Sequence, residues 1–197
     1  MVKKLNPIEV QSVLRNKGFS LFTPKEFERL FDVSRPATQK FIHTYTEKNF
    51  FTKVRNGLYS LTEKRPNLYY TANRIYAPSY VSLETALSYY GIIPESVYGV
   101  TSVTTKARRE FEALGISFSY TRIKKDAFRG YTTQKEDGKT FFIAEPEKAL
   151  ADYLYLVSLG KRTWNDRFET KQLSKERLQQ YMTLFDRPRL KEYIGKL

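Results

Sequence analysis

Residues 22–59 read FTPKEFERLFDVSRPATQKFIHTYTEKNFFTKVRNGLY, and this stretch predicts two helices followed by a β-hairpin. The first helix has three agreeing start signals: Thr23 can cap it, Pro24 suits its first position, and Glu26 can complete a capping box. A corner of three residues then leads into a second helix, predicted over residues 34–49. Two helices joined by so short a corner are typical of a helix-turn-helix.

Two short β-prone runs, Phe50–Arg55 and Leu58–Thr62, follow the second helix and are joined by Asn56-Gly57. Asn-Gly is a strong hairpin signal because both residues tolerate the positive φ angles of a type I′ turn. We expect Phe19–Leu21 to pair with this hairpin, and another helix is predicted upstream over Asn6–Asn16. Helices followed by such a hairpin predict a winged helix-turn-helix, which is a DNA-binding domain.

Polar side chains on the outer face of the second helix and on the hairpin are the candidate DNA-binding residues. They are Arg35, Thr38, Gln39, Lys40 and His43 on the helix, and Lys53, Arg55 and Asn56 on the hairpin. Thr38 lies near the boundary between this face and the apolar face. Arginine and glutamine can form bidentate contacts with base edges in the major groove, whereas the hairpin residues suit phosphate or minor-groove contacts. The alternative is an ordinary solvated face.

The composition also indicates a polyanionic partner. The chain has 197 residues and a net charge of +13, and its first 65 residues hold 13 Lys and Arg against 6 Asp and Glu. Lysine and arginine bind phosphates and release counterions, which favours nucleic acid as the partner. The absence of cysteine excludes disulfides and cysteine-based metal sites. Without a membrane-span pattern or a signal-peptide pattern, we expect a cytoplasmic protein that does not bind membranes.

A polar stretch, Thr62–Asn67, separates this region from a second one in which helices and strands alternate. Strands are predicted over Tyr98–Val103, Ile116–Arg122 and Thr140–Ala144, with Gly130–Thr133 as a hairpin partner of the last. Helices are predicted after the caps Ser82 and Ser174, after Glu145, and after Asp186 near the end of the chain. The predicted fold is therefore α+β, with an N-terminal winged helix-turn-helix over residues 1–65 and a mixed α/β C-terminal domain over residues 66–197.

The second region contains the motifs YVSLETAL over residues 80–87, YGIIPE over 90–95 and AEPEKALAD over 144–152. Together with Gly57-Leu58-Tyr59 after the hairpin turn, they resemble the AbiEi antitoxin family of bacterial type IV toxin–antitoxin systems, which act in phage defence. The resemblance spans nearly the whole chain. It implies a repressor of its own operon whose second domain neutralises a nucleotidyltransferase-like toxin without forming a stable complex with it.

Two other functions are compatible with the second region. Glu145-Pro146-Glu147-Lys148 has the form of a nuclease Glu-x-Lys fragment, with Asp126 as the nearest upstream acid, but first-turn acids and proline also simply suit a helix start. The one histidine, His43, belongs to the N-terminal region, which excludes a Ser-His-Asp or histidine-metal site in the second region. We expect no enzymatic activity, metal or cofactor. The alternative function is a ligand-responsive winged-helix repressor whose C-terminal domain binds a small molecule.

The basic residues of the second region lie mainly at the ends of predicted segments. They are Lys106, Arg108, Arg109, Lys124, Lys125, Arg129, Lys161 and Arg162. They indicate either a further phosphate-facing or RNA-facing surface or a merely soluble basic one. No sustained heptad pattern is present, so we expect a monomer in solution, with two copies meeting on an inverted-repeat operator of double-stranded DNA.

Overall fold

The computed structural model describes residues 5–197, and the chain divides into two compact units. The first unit extends to Asn67 and includes Ala113–Gly115; the second comprises Leu68–Glu112 and Ile116–Leu197. Residues 1–4 of the predicted N-terminal domain lie outside the described residues. The predicted α+β class is confirmed. In the described part of the chain, no helix combines the length and apolar character that crossing a membrane requires.

The first unit consists of helices followed by an antiparallel hairpin. Its elements are α1 (Pro7–Asn16), α2 (Pro24–Phe31), α3 (Arg35–Glu47), β1 (Phe51–Arg55) and β2 (Leu58–Leu61). The predicted capping box of α2 is confirmed: Thr23 Oγ1 accepts a hydrogen bond from the Glu26 backbone N–H at 3.2 Å, and Glu26 Oε2 accepts one from the Thr23 backbone N–H at 2.7 Å. Satisfying these amides stabilises the start of α2 by about 1 kcal/mol.

Aromatic rings form the core of the first unit, with Phe27 of α2 at its centre. The centroid of this ring lies 4.5 Å from that of Phe31, 5.6 Å from Phe22, 5.7 Å from Phe41 and 6.3 Å from Phe51. Tilted and edge-on contacts of this kind contribute about 0.5–1.5 kcal/mol each beyond the burial of apolar area. Because they join α2, α3 and β1, they also fix which face of α3 points outward.

The hairpin turn differs from the predicted type I′ turn. Gly57 has a φ of +74°, but Asn56 is not among the residues with positive φ. The register between the strands shifts between Lys53 and Arg55, so the turn continues into a bulge. A turn of this kind needs only one residue with positive φ, which Gly57 supplies.

The predicted pairing of Phe19–Leu21 with the hairpin is displaced to the next residue. Phe22 and Tyr59 form an isolated antiparallel bridge, in which each backbone N–H donates to the other residue's carbonyl oxygen at 2.9 Å. Phe22 is buried and contacts the Phe27 ring, so core packing selects it for this pairing.

The second unit is a mixed sheet with helices packed on it. Its elements are α4 (Leu68–Ile75), β3 (Ser79–Val81), α5 (Leu83–Tyr89), β4 (Val100–Thr104), β5 (Arg109–Ala113), β6 (Ile116–Arg122), β7 (Tyr131–Glu136), β8 (Lys139–Ala144), α6 (Pro146–Ser158), α7 (Lys175–Thr183) and α8 (Leu190–Ile194). The strand order is β5-β6-β4-β3-β8-β7. β4 is parallel to β6 and β3 is parallel to β8, while β3 and β4 are antiparallel, as are β7 and β8. α5 packs on α6, and α6 packs on α7.

Most predicted segments of the second unit are present, with some corrections. β6 has the predicted bounds, and β7 pairs with β8 as predicted. The sequence does not predict α4, β3 or β5, and β4 begins two residues later than expected. Asp186 does not cap the last helix, because the residue that precedes α8 is Arg189.

We expect trypsin to cut the native chain first after Lys64, if the predicted linker separates two independently folded domains. Residues 62–65 are exposed, and trypsin does not cut the bond after Arg65 because a proline, Pro66, follows it. Limited digestion followed by mass spectrometry of the first fragments tests this prediction. Early cleavage elsewhere, with this segment intact, would contradict the two-domain hypothesis.

Candidate functional site

Helix α3 of the first unit has a buried face and an exposed polar face. Phe41 and Ile42 are buried against the aromatic core, and the Phe41 ring also lies 4.3 Å from the ring of Tyr45. Fixing the inner face this firmly sets the rotation of the helix about its axis. The side chains on the opposite face are therefore held in a defined arrangement.

The exposed face of α3 carries most of the predicted DNA-binding residues. Arg35, Gln39, Lys40 and His43 are all exposed. No acidic residue occurs on α3 before Glu47, in its last turn. His43 Nε2 lies 3.6 Å from Glu47 Oε1, a contact between exposed side chains that is an ion pair only when the histidine is protonated. Exposed pairs of this kind contribute at most about 1 kcal/mol, so His43 can move to a ligand at little cost.

The prediction for Thr38 is wrong. Its side chain is fully buried, because it lies three and four residues before Phe41 and Ile42 and shares their face of the helix. A ligand on the outer face of α3 cannot reach it. Thr38 is therefore a core residue of the first unit.

The starts of α2 and α3 differ in their availability to an anion. At the start of α2, the Glu26 backbone N–H donates to the Thr23 hydroxyl, and the Thr23 backbone N–H donates to the Glu26 carboxylate. Within the described residues, Ser34 makes no side-chain capping hydrogen bond to α3. Backbone amides at a free helix start point outward and favour a negatively charged acceptor. Of the two helices, α3 thus offers the better position for a phosphate.

The predicted DNA-binding residues of the hairpin differ in their exposure and hydrogen bonding. Lys53 and Asn56 are exposed, and Arg55 is half-buried. Arg55 Nη1 donates a hydrogen bond to the carbonyl oxygen of Asn56 at 2.8 Å, so the guanidinium is folded over the turn. Lys53 is consequently the hairpin cation that is free to meet a phosphate, whereas Arg55 must first leave the turn.

A second cluster of polar residues lies inside the second unit, where the sequence motifs meet. Asp152 of α6 is fully buried and pairs with Lys148, which lies one turn earlier on the same helix and is equally buried. Its other oxygen, Oδ2, accepts hydrogen bonds from the Tyr80 hydroxyl at 3.0 Å and from the Ser82 hydroxyl at 2.8 Å. The motifs over residues 80–87 and 144–152 are thus joined by one buried carboxylate.

The environment of this cluster is dry and aromatic. Lys148 Nζ lies 4.9 Å from the ring centroid of Phe185 and 5.7 Å from that of Tyr80. Burial raises the pKa of Asp152 even though Lys148 and the two hydroxyls act against the rise. Burial and the neighbouring Asp152 raise the pKa of Tyr80 well above its ordinary value, so its hydroxyl remains a donor.

Glu145, which precedes α6, and Gly130 both contact residues of α7. Glu145 pairs with Arg177 and accepts a hydrogen bond from the Tyr181 hydroxyl. Gly130, with a φ of +76°, lies against Tyr181, where an added Cβ would come within 2.5 Å of the ring. The carbonyl of Gly130 accepts a hydrogen bond from the Glu145 backbone N–H at 2.9 Å. Glycine is required at this position both by its φ angle and by the close approach of the tyrosine.

The remaining motif, over residues 90–95, joins the same region. The Tyr90 hydroxyl donates to the carbonyl oxygen of Ala144 at 2.9 Å, and Glu95 pairs with Arg167 and accepts from Asn165 at 2.9 Å. Burial acts to raise the pKa of Glu95, but a hydrogen bond from its own backbone, hydrogen bonds from Asn165 and Arg167, and the charge of Arg167 together lower it. These partners lie more than 50 residues away in the chain, and no local pattern predicts them.

The buried cluster also bears on the nuclease hypothesis. Lys148, the lysine of the Glu-x-Lys fragment, is fully buried and ion-paired with Asp152, so it cannot contact a phosphate at the surface. The sequence predicts Ser82 only as a helix cap, yet its hydroxyl bonds Asp152 instead of the first turn of α5. The only sequence signal for the pair is the four-residue spacing of Lys148 and Asp152, which is usually a surface pattern.

No protein-family model matches this chain, and no curated protein matches it significantly.

Proposed function

We propose that this protein is a DNA-binding repressor of its own operon and the antitoxin of a type IV toxin–antitoxin system. The exposed face of α3 carries the proposal: Arg35, Gln39 and Lys40 project from a helix whose opposite face is locked into an aromatic core. Arginine and glutamine on a rigid helix can meet base edges, and lysine can neutralise a phosphate.

We infer that the first unit is a winged helix-turn-helix. α2 packs on α3, the corner between them is three residues long, and the β1–β2 hairpin follows with Lys53 exposed near its turn. In such domains the second helix of the pair enters the major groove while neighbouring segments contact the DNA backbone. An inverted-repeat operator would bring two copies of the chain together, with the DNA supplying the two-fold symmetry.

The antitoxin part of the proposal rests on the resemblance of the motifs. The meeting at Asp152 of the motifs over residues 80–87 and 144–152 supports it, because it gives these two stretches of sequence one physical reason to occur together. The partner in this proposal is a nucleotidyltransferase-like toxin encoded beside the protein. In this proposal the antitoxin opposes the effect of the toxin without forming a stable complex with it.

The two activities should separate in the full-length variant Arg35→Ala/Gln39→Ala. We expect it to lose repression of a reporter that carries the upstream region of its own gene, because the outer face of α3 is altered while the second unit is unchanged. Protection of growth during co-expression of the neighbouring toxin gene should persist. Lys17→Ala, at an exposed cation just after α1, is the control and should retain both activities.

Other results would change the proposal. Loss of protection together with repression, in a variant that remains folded, would mean that DNA binding is itself the protective activity. Failure of the wild-type protein to bind its upstream region would exclude the operator part. Failure to protect against the neighbouring gene product would exclude the antitoxin part.

Cavities in the second unit keep a ligand-responsive repressor as the second candidate. One open cleft of about 720 Å³ is lined by Tyr98, Tyr153, Trp164 and the Glu95–Arg167 pair, and a partly open pocket of about 650 Å³ lies between α7 and α8. Both volumes fall in the range of small-molecule sites, about 300–1,000 Å³. A thermal-shift screen against metabolites tests this candidate, since a ligand at about 100 times its dissociation constant adds about 2.7 kcal/mol of stability.

A further inference from the structure

The open cleft of the second unit lies between two segments that are far apart in the chain. One is the loop over residues 93–98, between α5 and β4, and the other is the segment over residues 163–167, after α6. Glu84 of α5 and Tyr153 of α6 complete the lining. We call this site the Tyr98 cleft. Its volume of about 720 Å³ is sufficient for a small organic molecule.

The lining of the Tyr98 cleft is acidic, although the chain as a whole has a net charge of +13. The lining holds three acids against one cation; the acids are Glu84, Glu95 and Asp166, and the cation is Arg167. A cleft in which one sign of charge predominates attracts ligands of the opposite sign. The charge of the lining therefore favours a cationic ligand and disfavours nucleic acid.

The three acids differ in the partners that they already have. Arg162 pairs with Oε1 of Glu84, and Arg167 pairs with Oε1 of Glu95. The Oε2 atoms of both glutamates are buried and accept no hydrogen bond from the described residues. Asp166 is exposed, and its carboxylate has no ion-pair or hydrogen-bond partner in the described part of the chain. Asp166 is therefore the free charge of the cleft.

Tyr98 supplies an aromatic ring that the second unit itself leaves unused. This residue is 94% exposed, and no other ring or cation of the described residues contacts it. Trp164, by contrast, is stacked on Tyr193 with 5.4 Å between the centroids, and Lys196 Nζ lies 5.9 Å from its ring. The chain thus already places an ammonium group over one aromatic ring of the cleft, and the Tyr98 ring is open to an external cation.

We propose that the Tyr98 cleft binds a small organic cation, a molecule with a guanidinium or ammonium group on a short carbon chain. The cation lies over the face of Tyr98 and pairs with the carboxylate of Asp166, because an aromatic face and a carboxylate both attract positive charge. A planar guanidinium can stack on the ring and donate hydrogen bonds to both carboxylate oxygens. This binding goes beyond the proposed function and does not depend on it.

Trp164 provides the measurement, because it is the one tryptophan of the chain and lines the cleft. Its fluorescence is titrated in the full-length protein with butylguanidinium and with butylammonium, at an ionic strength kept constant with NaCl. Butylurea is the uncharged analogue of nearly the same shape, and pentanoate is the anion of similar length. We expect a saturable change with one or both cations and none with butylurea or pentanoate.

Substitutions at exposed residues test which side chains hold the cation. Tyr98→Ala should raise the dissociation constant of the bound cation by about 2-fold to 5-fold, the effect of one exposed cation–π contact. Asp166→Asn should raise it by about 1.4-fold to 5-fold, the effect of one exposed ion pair. The matched controls Ile8→Ala and Asp126→Asn remove an exposed apolar side chain and an exposed carboxylate outside the cleft, and they should retain the wild-type affinity.

Absence of a saturable change with both cations would overturn the proposal, as would an equal response to butylurea. A response to pentanoate alone would also overturn it and assign the cleft to an anion held by Arg167. The proposal would be wrong as well if Tyr98→Ala and Asp166→Asn both kept the wild-type affinity, or if Asp126→Asn weakened binding as much as Asp166→Asn.

Circular dichroism and melting temperature verify that all variants are folded. None of these titrations involves DNA or the toxin. Failure of the repressor or antitoxin proposal therefore leaves the result of this test unchanged, and absence of cation binding leaves the proposed function unchanged.

Discussion

Replacement of Lys148 by methionine is expected to lower the free energy of unfolding by about 3–5 kcal/mol. The substitution keeps most of the side-chain volume but leaves the carboxylate of Asp152 fully buried without its cation. The hydroxyls of Tyr80 and Ser82 remain as donors, but they carry no charge to offset the burial. Urea unfolding monitored by circular dichroism measures the loss.

The double variant Lys148→Met/Asp152→Leu separates the cost of an unpaired charge from the value of the pair. Burial raises the pKa of Asp152 despite its partners, which indicates that the charged carboxylate is costly in this position. We therefore expect the double variant to recover most of the stability that the single variant loses. Lys175→Met, at an exposed lysine, is the control and should change stability by less than about 0.5 kcal/mol. A single variant as stable as wild type would contradict this expectation, because it would mean that Asp152 does not need Lys148 to balance a buried charge.

Local signals predict the first unit well because its elements are specified within short stretches. The Thr23 capping box lies within four residues, and in the second unit β6 is likewise predicted from the β-branched and aromatic residues within Ile116–Arg122. The turn at Asn56-Gly57 is where the sequence predicts it, but its type is different. Its geometry depends on how the strands pair, and the bulge at Lys53 and Arg55 is a property of that pairing.

The elements of the second unit that the sequence does not predict are those with weak local signals. β3 has only three residues, and β5 reads REFEA, in which charged residues occupy most exposed positions of an edge strand. Such charges discourage the edge strand from pairing with other chains. They also make the strand difficult to predict, because it lacks the β-branched residues typical of strands. Both strands depend on partners elsewhere in the sheet, and sequence periodicity does not identify those partners.

The sites illustrate the same difference between local and distant information. Helical periodicity places Arg35, Gln39, Lys40 and His43 outside, and on this helix it fails only for Thr38, at the boundary of the face. The buried cluster and the Tyr98 cleft cannot be predicted in this way. The cluster arises where a strand meets α6, and the cleft arises where the loop after α5 meets the segment after α6, so both require the folded second unit.

The second large expected effect is on DNA affinity, where replacing Arg35 and replacing Lys53 should give different results. Arg35→Ala should weaken binding to the operator by about 1–3 kcal/mol, or about 5-fold to 160-fold, if Arg35 contacts a base edge. Specificity should relax at the base pair that it reads. Lys53→Ala should instead weaken binding to operator and scrambled duplex alike, since a phosphate contact carries no sequence information.

Competition binding against a library of single-base operator variants, at one fixed salt concentration, measures both effects. Lys17→Ala, at an exposed cation that belongs to neither α3 nor the hairpin, controls for the loss of one positive charge. If Arg35→Ala and Lys53→Ala reduce affinity equally for operator and scrambled duplex, Arg35 contacts only the backbone. The sequence preference of the first unit would then have to come from Gln39, Lys40 or His43, the other exposed polar residues on the outer face of α3, or from the shape of the DNA.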